Sequence, residues 1–455
     1  MLHPPVFTLA QAPTWAQNYG GGEDDIARTL IQTTDGGYAL AGWTGSYGAG
    51  YSDFWLVKTD SNGRMQWNRT YGGAEDDSAQ ALIQTTDGGY ALAGETYSYG
   101  AGYSDFWLVK TDSNGRMQWN RTYGGEDYDF ASDLIQTADG GYALAGLTIY
   151  DVGQADFWLV KTDSHGIMQW NRTYGREEFN AASALIQTAD GGYALAGETT
   201  SNGTMPNSWL VKTDNNGRMQ WNRTYGGEKR DAASALIQTP DGGYTLAGET
   251  YSYGAGSSDF WLVKTDSDGI TQWIRTYGGA EDDSAQALIQ TTDGGYALAG
   301  TTESYGAGSD DCWLVKTDNN GRMQWNQTYG GEDYDSAYAL IQTPDGNYVL
   351  AGATTSYGAG YYDSWLVKME EIIFPITSTG TEEIIFPITS TGTEEINSTN
   401  TEGMTFLISI FEYLVIAVIG SSVGLLTSRP VYRRYKKWRQ KRATSKALRE
   451  DVNHL

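Results

Sequence analysis

The stretch DFWLVKTDSNGRMQWNRTYGG, residues 105–125, decides the fold. Two β-type runs, DFWLVKT and RMQWNRTY, flank Asp112-Ser113-Asn114-Gly115, and Asn-Gly supplies the positive φ that a tight hairpin needs. In the first run Phe106 and Leu108 point one way and Trp107 and Val109 the other, so both faces of the strand are apolar. Such a strand belongs between two other layers. Near-copies stand at 53–73, 259–279 and 311–331. One tryptophan column runs 15, 67, 119, 170, 221, 273, 325 and a second runs 55, 107, 158, 209, 261, 313, 365. Together they hold fourteen of the sixteen tryptophans, so tryptophan here builds architecture.

Working outward, the second copy reads as four strands: QALIQT (80–85), YALAGET (90–96), DFWLVKT (105–111) and RMQWNRTY (116–123). TDGG joins the first pair and DSNG the last, while the two longer connections, SYGAGYS and the GGEDYDFA type, fall together at one end. Four antiparallel strands repeated at about 50 residues predict a β-propeller blade. The last copy has only three strands (338–343, 348–354, 363–368), and TWAQNY (14–19) stands alone before the first. Placing it as the missing outer strand closes an all-β, seven-bladed ring over residues 14–369 and removes two sheet edges.

The run WLVKTDSNGRMQW resembles the D-x-x-x-G-x-x-x-W pattern of quinoprotein-type propellers. The unit TYGGAEDDSAQALIQTTDGGYALAGET is similar to β-propeller repeats of archaeal and bacterial secreted or cell-surface proteins. The resemblance implies an extracellular propeller. It implies no shared reaction, and quinone-handling residues are not identifiable, so no cofactor follows from it.

The formal charge is −26, unevenly spread. Arg429–Leu455 carries ten Lys/Arg and two Asp/Glu, so the remainder has 20 basic and 54 acidic side chains, net −34. A surface of that sign repels phosphate backbones, which argues against nucleic acid. The lone Cys312 replaces the Phe of a DFW triplet and is expected to pack as a small buried hydrophobe.

Beyond the ring, residues 370–403 contain the tandem EEIIFPITSTGT and many Thr/Ser, the composition of a stalk. Residues 404–427 are long and apolar enough for one transmembrane helix, and the basic segment 428–455 marks the cytoplasmic side, so the propeller is expected outside. Gly420 and Gly424 form a G-x-x-x-G pair that would suit a homodimer. Residues 1–13 resemble the tail of a signal peptide, with an A-x-A site at Ala10–Ala12, and the expectation is that export information lies upstream.

Only His3, His165 and His454 are present, and no repeated Ser-His-Asp, Cys-His or histidine metal cluster can be assembled. The expectation is therefore no enzyme, but a binding or adhesion module for a glycan, protein or cation. A glycan lyase or hydrolase, and a structural envelope component, are the alternatives. Two aspartate columns mark the acidic loop face as the ligand-binding candidate. One is Asp25, Asp77, Asp129, Asp231, Asp283, Asp335, with Asn180 in blade four; the other is Asp53, Asp105, Asp156, Asp259, Asp311, Asp363, with Asn207 there. They read either as Asx acceptors that shape their loops, which Asn also does, or as a Ca²⁺ site. Tyr47, Tyr99, Tyr253, Tyr305 and Tyr357 of SYGAG read as loop packing or as sugar platforms. Arg176, Lys229 and Arg230 break the acidic pattern and mark a sector for partner recognition. N-x-[ST] sequons at Asn68, Asn120, Asn171, Asn202, Asn222, Asn326 and Asn397 would accept glycans on an exported protein.

Overall fold

A computed structural model describes residues 13–151, 154–175, 179–200 and 205–372. They form seven four-stranded antiparallel sheets, each built from strands consecutive in sequence except one. In that sheet Trp15–Tyr19 pairs with Asp363–Met369, with Trp15 opposite Lys368 and Asn18 opposite Trp365. The ring is thus a seven-bladed propeller closed by its first strand.

The turns set the strand positions. In blade two Asp87 accepts hydrogen bonds from the Thr85 hydroxyl and the Gly89 N–H (2.5 and 3.0 Å), with Gly88 at φ +82°. Gly115 stands at φ +73° against Trp67 of the preceding blade, where a Cβ would come within 2.6 Å of the indole. A side chain there would strain the turn and push the blades apart.

The core lies between blades. Phe54 and Leu56 of blade one pack on Leu82, Tyr90, Trp107 and Val109 of blade two, and the Phe54 and Trp107 rings are 4.6 Å apart. The same pair recurs as Phe106–Trp158, Phe157–Trp209 and Phe260–Trp313. Each such side chain contributes about 1.5–3 kcal/mol by burial, and each ring pair about 0.5–1.5 more. Cys312 takes the phenylalanine place opposite Trp365, fully buried, and burial pushes its thiol pKa up. Between blades seven and one, Tyr19, Trp55 and Val57 meet Val349, Ala351 and Leu366, so the closing junction has the same core as the others.

The inner strands begin earlier than expected. Blade two's inner strand is Asp77–Gln84, three residues ahead of the predicted start at Gln80, and the other six begin at the equivalent Asp or Asn. The reason is a β-bulge. The register of every inner strand shifts around its fourth residue, between Ala27 and Thr29 in blade one and Ala79 and Ala81 in blade two. A bulge breaks the period-two pattern and re-aims one side chain.

Among the described residues no helix is long and apolar enough to cross a membrane. The segments 404–427 and 428–455, with Gly420 and Gly424, and all but the first three residues of 370–403 lie outside the described residues, as do residues 1–12.

Candidate functional site: the central channel and its mouth

Two sets of carboxylates that the sequence marks as ligand-binding are placed inside the loops instead of on their surface. In the first column, Oδ2 of Asp25, Asp77, Asp129, Asp231, Asp283 and Asp335 accepts the N–H of the glycine four residues earlier (2.7–2.9 Å). In five of these blades the same oxygen also accepts a loop serine hydroxyl, as Ser98 donates to Asp77 at 2.7 Å. In the second column, Oδ2 of Asp53 accepts the N–H groups of Ala49 and Gly50, and Asp105, Asp259, Asp311 and Asp363 accept from their own SYGAG-type loops. Eleven of the twelve are buried and Asp156 is half-buried.

The columns meet at blade junctions, where a Cβ on Gly72 would lie 1.7 Å from Asp53 Oδ1 and 2.8 Å from Asp77 Oδ2. Burial, with the neighbouring aspartate adding to it, pushes Asp53, Asp259 and Asp311 above the usual carboxylate range. The loop-shaping role accounts for the hydrogen bonds of the eleven buried aspartates. Among the described residues no group of three or more His, Cys, Asp or Glu is arranged to hold a metal ion.

The other candidates separate as well. Tyr47, Tyr99, Tyr253, Tyr305 and Tyr357 each donate a hydroxyl hydrogen bond to a junction glycine carbonyl (2.8–3.0 Å) and stay partly exposed. Arg230 is held between Glu198 and Glu249, and Lys229 is exposed. Asn120, Asn171 and Asn222 are exposed on outer strands and Asn68 is half-buried. Asn326 is buried and accepts the Trp313 indole N–H at 3.1 Å, so it is not presented for modification. Arg176, Asn202 and Asn397 lie outside the described residues.

Among the described residues the ring's axis holds a cavity of about 440 Å³ walled by the inner strands. The seven bulge residues line it: Arg28, Gln80, Ser132, Ser183, Ser234, Gln286 and Tyr338. The Arg28 guanidinium carbon lies 4.4 Å from the Tyr338 ring centre, and the Tyr338 hydroxyl is 3.0 Å from that of Tyr334. The amide nitrogens of Gln80 and Gln286 donate to Ser78 and Ser284 at 3.0 Å. Asp133, in the wall, accepts the N–H groups of Leu185 and Leu134, and burial raises its pKa to about 6 against their lowering effect. Outside the cavity lining, burial, then Asp76 and Asp77, raise Glu95 to about 7, and burial, then Asp311 and Asp282, raise Asp310 to about 6.

Sequence reasoning missed this column because it looked for departures from the repeat only in the loops, and the bulge that turns these residues to the axis is not marked in the strand pattern. The bulge column is one such departure: Arg, Gln, Ser, Ser, Ser, Gln, Tyr, set in units that otherwise agree. So is the column of Trp43, Glu95, Leu147, Glu198, Glu249, Thr301 and Ala353 on the second strands. Residues that every blade needs to fold must repeat, whereas a site on the symmetry axis gains specificity only by breaking the repeat.

The fold and the axial cavity define a class, the seven-bladed β-propellers with a differentiated channel. No family model matches the chain. It is 26% identical over 260 residues to the regulatory protein FlaEY of Caulobacter vibrioides, a match covering 51% of this chain and 27% of that protein. The chain therefore spans about a quarter of the length of that relative. Among solved structures it is similar to YCF48 bound to D1 peptide (14% identity, 82% of this chain and 100% of that one, TM-score 0.47). It is also similar to a puromycin hydrolase (14% identity, 72% and 50%, TM-score 0.47). At these identities the likeness concerns the fold alone. The expectation of no enzyme is corrected by the second of these: the architecture is shared with a hydrolase, and scarcity of histidine does not decide the question.

Proposed function

We propose that this is a ligand-binding propeller whose binding surface is the central channel and its loop-face mouth. The observation that carries the reading is the bulge column, where seven similar blades present four kinds of side chain, Arg, Gln, Ser and Tyr, to one cavity. Amides, hydroxyls and one guanidinium around an apolar alanine-leucine wall suit a small polar molecule or the end of a glycan or peptide. On this reading the segment 404–427 anchors the protein in a membrane, 428–455 faces the cytoplasm and the propeller is displayed outside. The acidic charge and the resemblance to surface-protein repeats support that orientation.

The test is a thermal-shift and titration screen of the full chain against glycans, peptides and Ca²⁺, repeated on Ser183→Trp, which fills the channel from a position already in its wall. Binding by the parent and loss in the variant is the expected result, with mass spectrometry of the ligand deciding between binding and turnover. A ligand held equally by both proteins would move the site elsewhere.

A further inference from the structure

We propose that the channel binds a monoanionic, hydroxyl-rich ligand, a sugar acid, with its carboxylate on Arg28. The inference deepens the channel reading above and rests on it. Among the described residues Arg28 has no carboxylate partner, and its Nε is buried with no hydrogen-bond partner. Arg28 itself is half-buried, and the fully buried cations among the described residues are neutralised: Lys58, Lys110, Lys161, Lys212, Lys264 and Lys316 each sit 2.7–2.9 Å from an aspartate oxygen. The half-buried Arg230 has two glutamates. The half-buried Arg69, Arg121, Arg172, Arg223 and Arg275 also lack a carboxylate partner among the described residues, but each donates to a backbone carbonyl and lies over a tryptophan of its own strand; Arg28 differs from them in lining the cavity.

The geometry narrows the partner. Tyr338 covers one face of the guanidinium at 4.4 Å, and Tyr338 is itself tied to Tyr334, so the plane is fixed and the N–H edge remains for recognition. A planar N–H edge matches the two oxygens of a carboxylate, and the pairing is strongest where water is displaced. A single guanidinium neutralises one charge. Asp133, the carboxylate in the wall, opposes a second, which disfavours dianionic phosphate. Around the cavity Gln80 and Gln286 each give one amide N–H to a serine and keep a second N–H and the carbonyl oxygen, and Ser132, Ser183 and Ser234 add hydroxyls. Acceptors and hydroxyls without further cations pair with hydroxyl groups. A volume of about 440 Å³ lies within the range of small-ligand sites. A free sugar acid and the uronate end of a glycan share this chemistry.

The experiment is calorimetric titration of the full chain with glucuronate, with a glucuronate-terminated tetrasaccharide, with glucose and with inorganic phosphate. Saturable binding of glucuronate or of the tetrasaccharide, at least tenfold tighter than glucose or phosphate, is expected; which of the two binds identifies the source. Arg28→Met should weaken that binding at least tenfold without lowering the melting temperature. Tyr338→Leu, which keeps the charge but releases its plane, should weaken it several-fold and serves if the first variant does not fold. Equal binding of glucose, preference for phosphate, or full affinity in both variants would overturn the proposal. A neutral ligand that binds the parent but not Ser183→Trp would sink the carboxylate while sparing the channel, and binding of nothing at all would sink both.

Discussion

Lys110 and Arg28 are cations carried by neighbouring blades of one ring, and their surroundings are opposite. Lys110 is almost fully buried, and its ammonium donates to Asp87, to the Thr111 carbonyl and to Gln118. Burial pulls Asp87 upward, but the hydrogen bonds from Lys110, Thr85 and the Gly89 N–H outweigh it and hold the carboxyl at about 2. This arrangement is repeated in every blade, ending with Lys368 and Asp345. Arg28 occurs once, stacked on an aromatic ring and facing the axis. The difference teaches how to read a repeat protein: what recurs is what each blade needs to fold, and what departs from the repeat is free to serve something else.

The sharpest ways to break the comparison act on the repeated layer. Removing Thr14–Tyr19 from the full chain strips blade seven of five paired residues and exposes the edge of Asp363–Met369. At about 1 kcal/mol per lost hydrogen bond, and before counting Trp15 and Tyr19, the loss is roughly 5 kcal/mol, measured by denaturant unfolding. Acid attacks all seven lysine–aspartate pairs together. Asp35, Asp87, Asp139, Asp190, Asp241 and Asp345 have folded pKa values of about 2 against 3.8 unfolded. Their contribution is full above about pH 4 and is lost as the pH falls towards 2. Glu95, raised to about 7, and Asp133, raised to about 6, work the other way and weaken the fold as the pH rises from about 4.5 to 7. Unfolding followed from pH 2 to 8 should therefore show a maximum near pH 4–5. A profile flat below pH 4 would remove the role given to the pairs. A single pair matters less: Asp87→Ala leaves the Lys110 ammonium with only neutral acceptors and should cost about 2 kcal/mol, since the aspartate itself is half-exposed.

The period, the strands and the closing pair could be read from residues alone because each signal is stated seven times. Two tryptophan columns and Asp-Gly turns leave one arrangement in which Trp15 and Trp365 share a sheet, and they do. The inner-strand starts could not, because the bulge at the Arg28 position breaks the alternation that marks a strand. Of the two readings given for Asp77 and Asp105, the loop-shaping one matches their hydrogen bonds: a carboxylate surrounded by loop N–H groups recurs because the loop does. Arg28 and Tyr338, 310 residues apart in the chain, become neighbours only when blade seven closes on blade one.

The smallest expected effect is the most telling. Arg28→Met, measured without any ligand, should change stability by no more than about 1 kcal/mol and in the stabilising direction. The substitution removes a partly desolvated charge that no carboxylate offsets and loses only its stacking on Tyr338, worth about 0.5–1 kcal/mol. Asp87→Ala removes a partner that a buried charge relies on, so the two variants should move in opposite directions in the same assay. If Arg28→Met proved as damaging as Asp87→Ala, Arg28 would be one more structural cation, and the distinction between the repeated layer and the axial column would fail at its most exposed point.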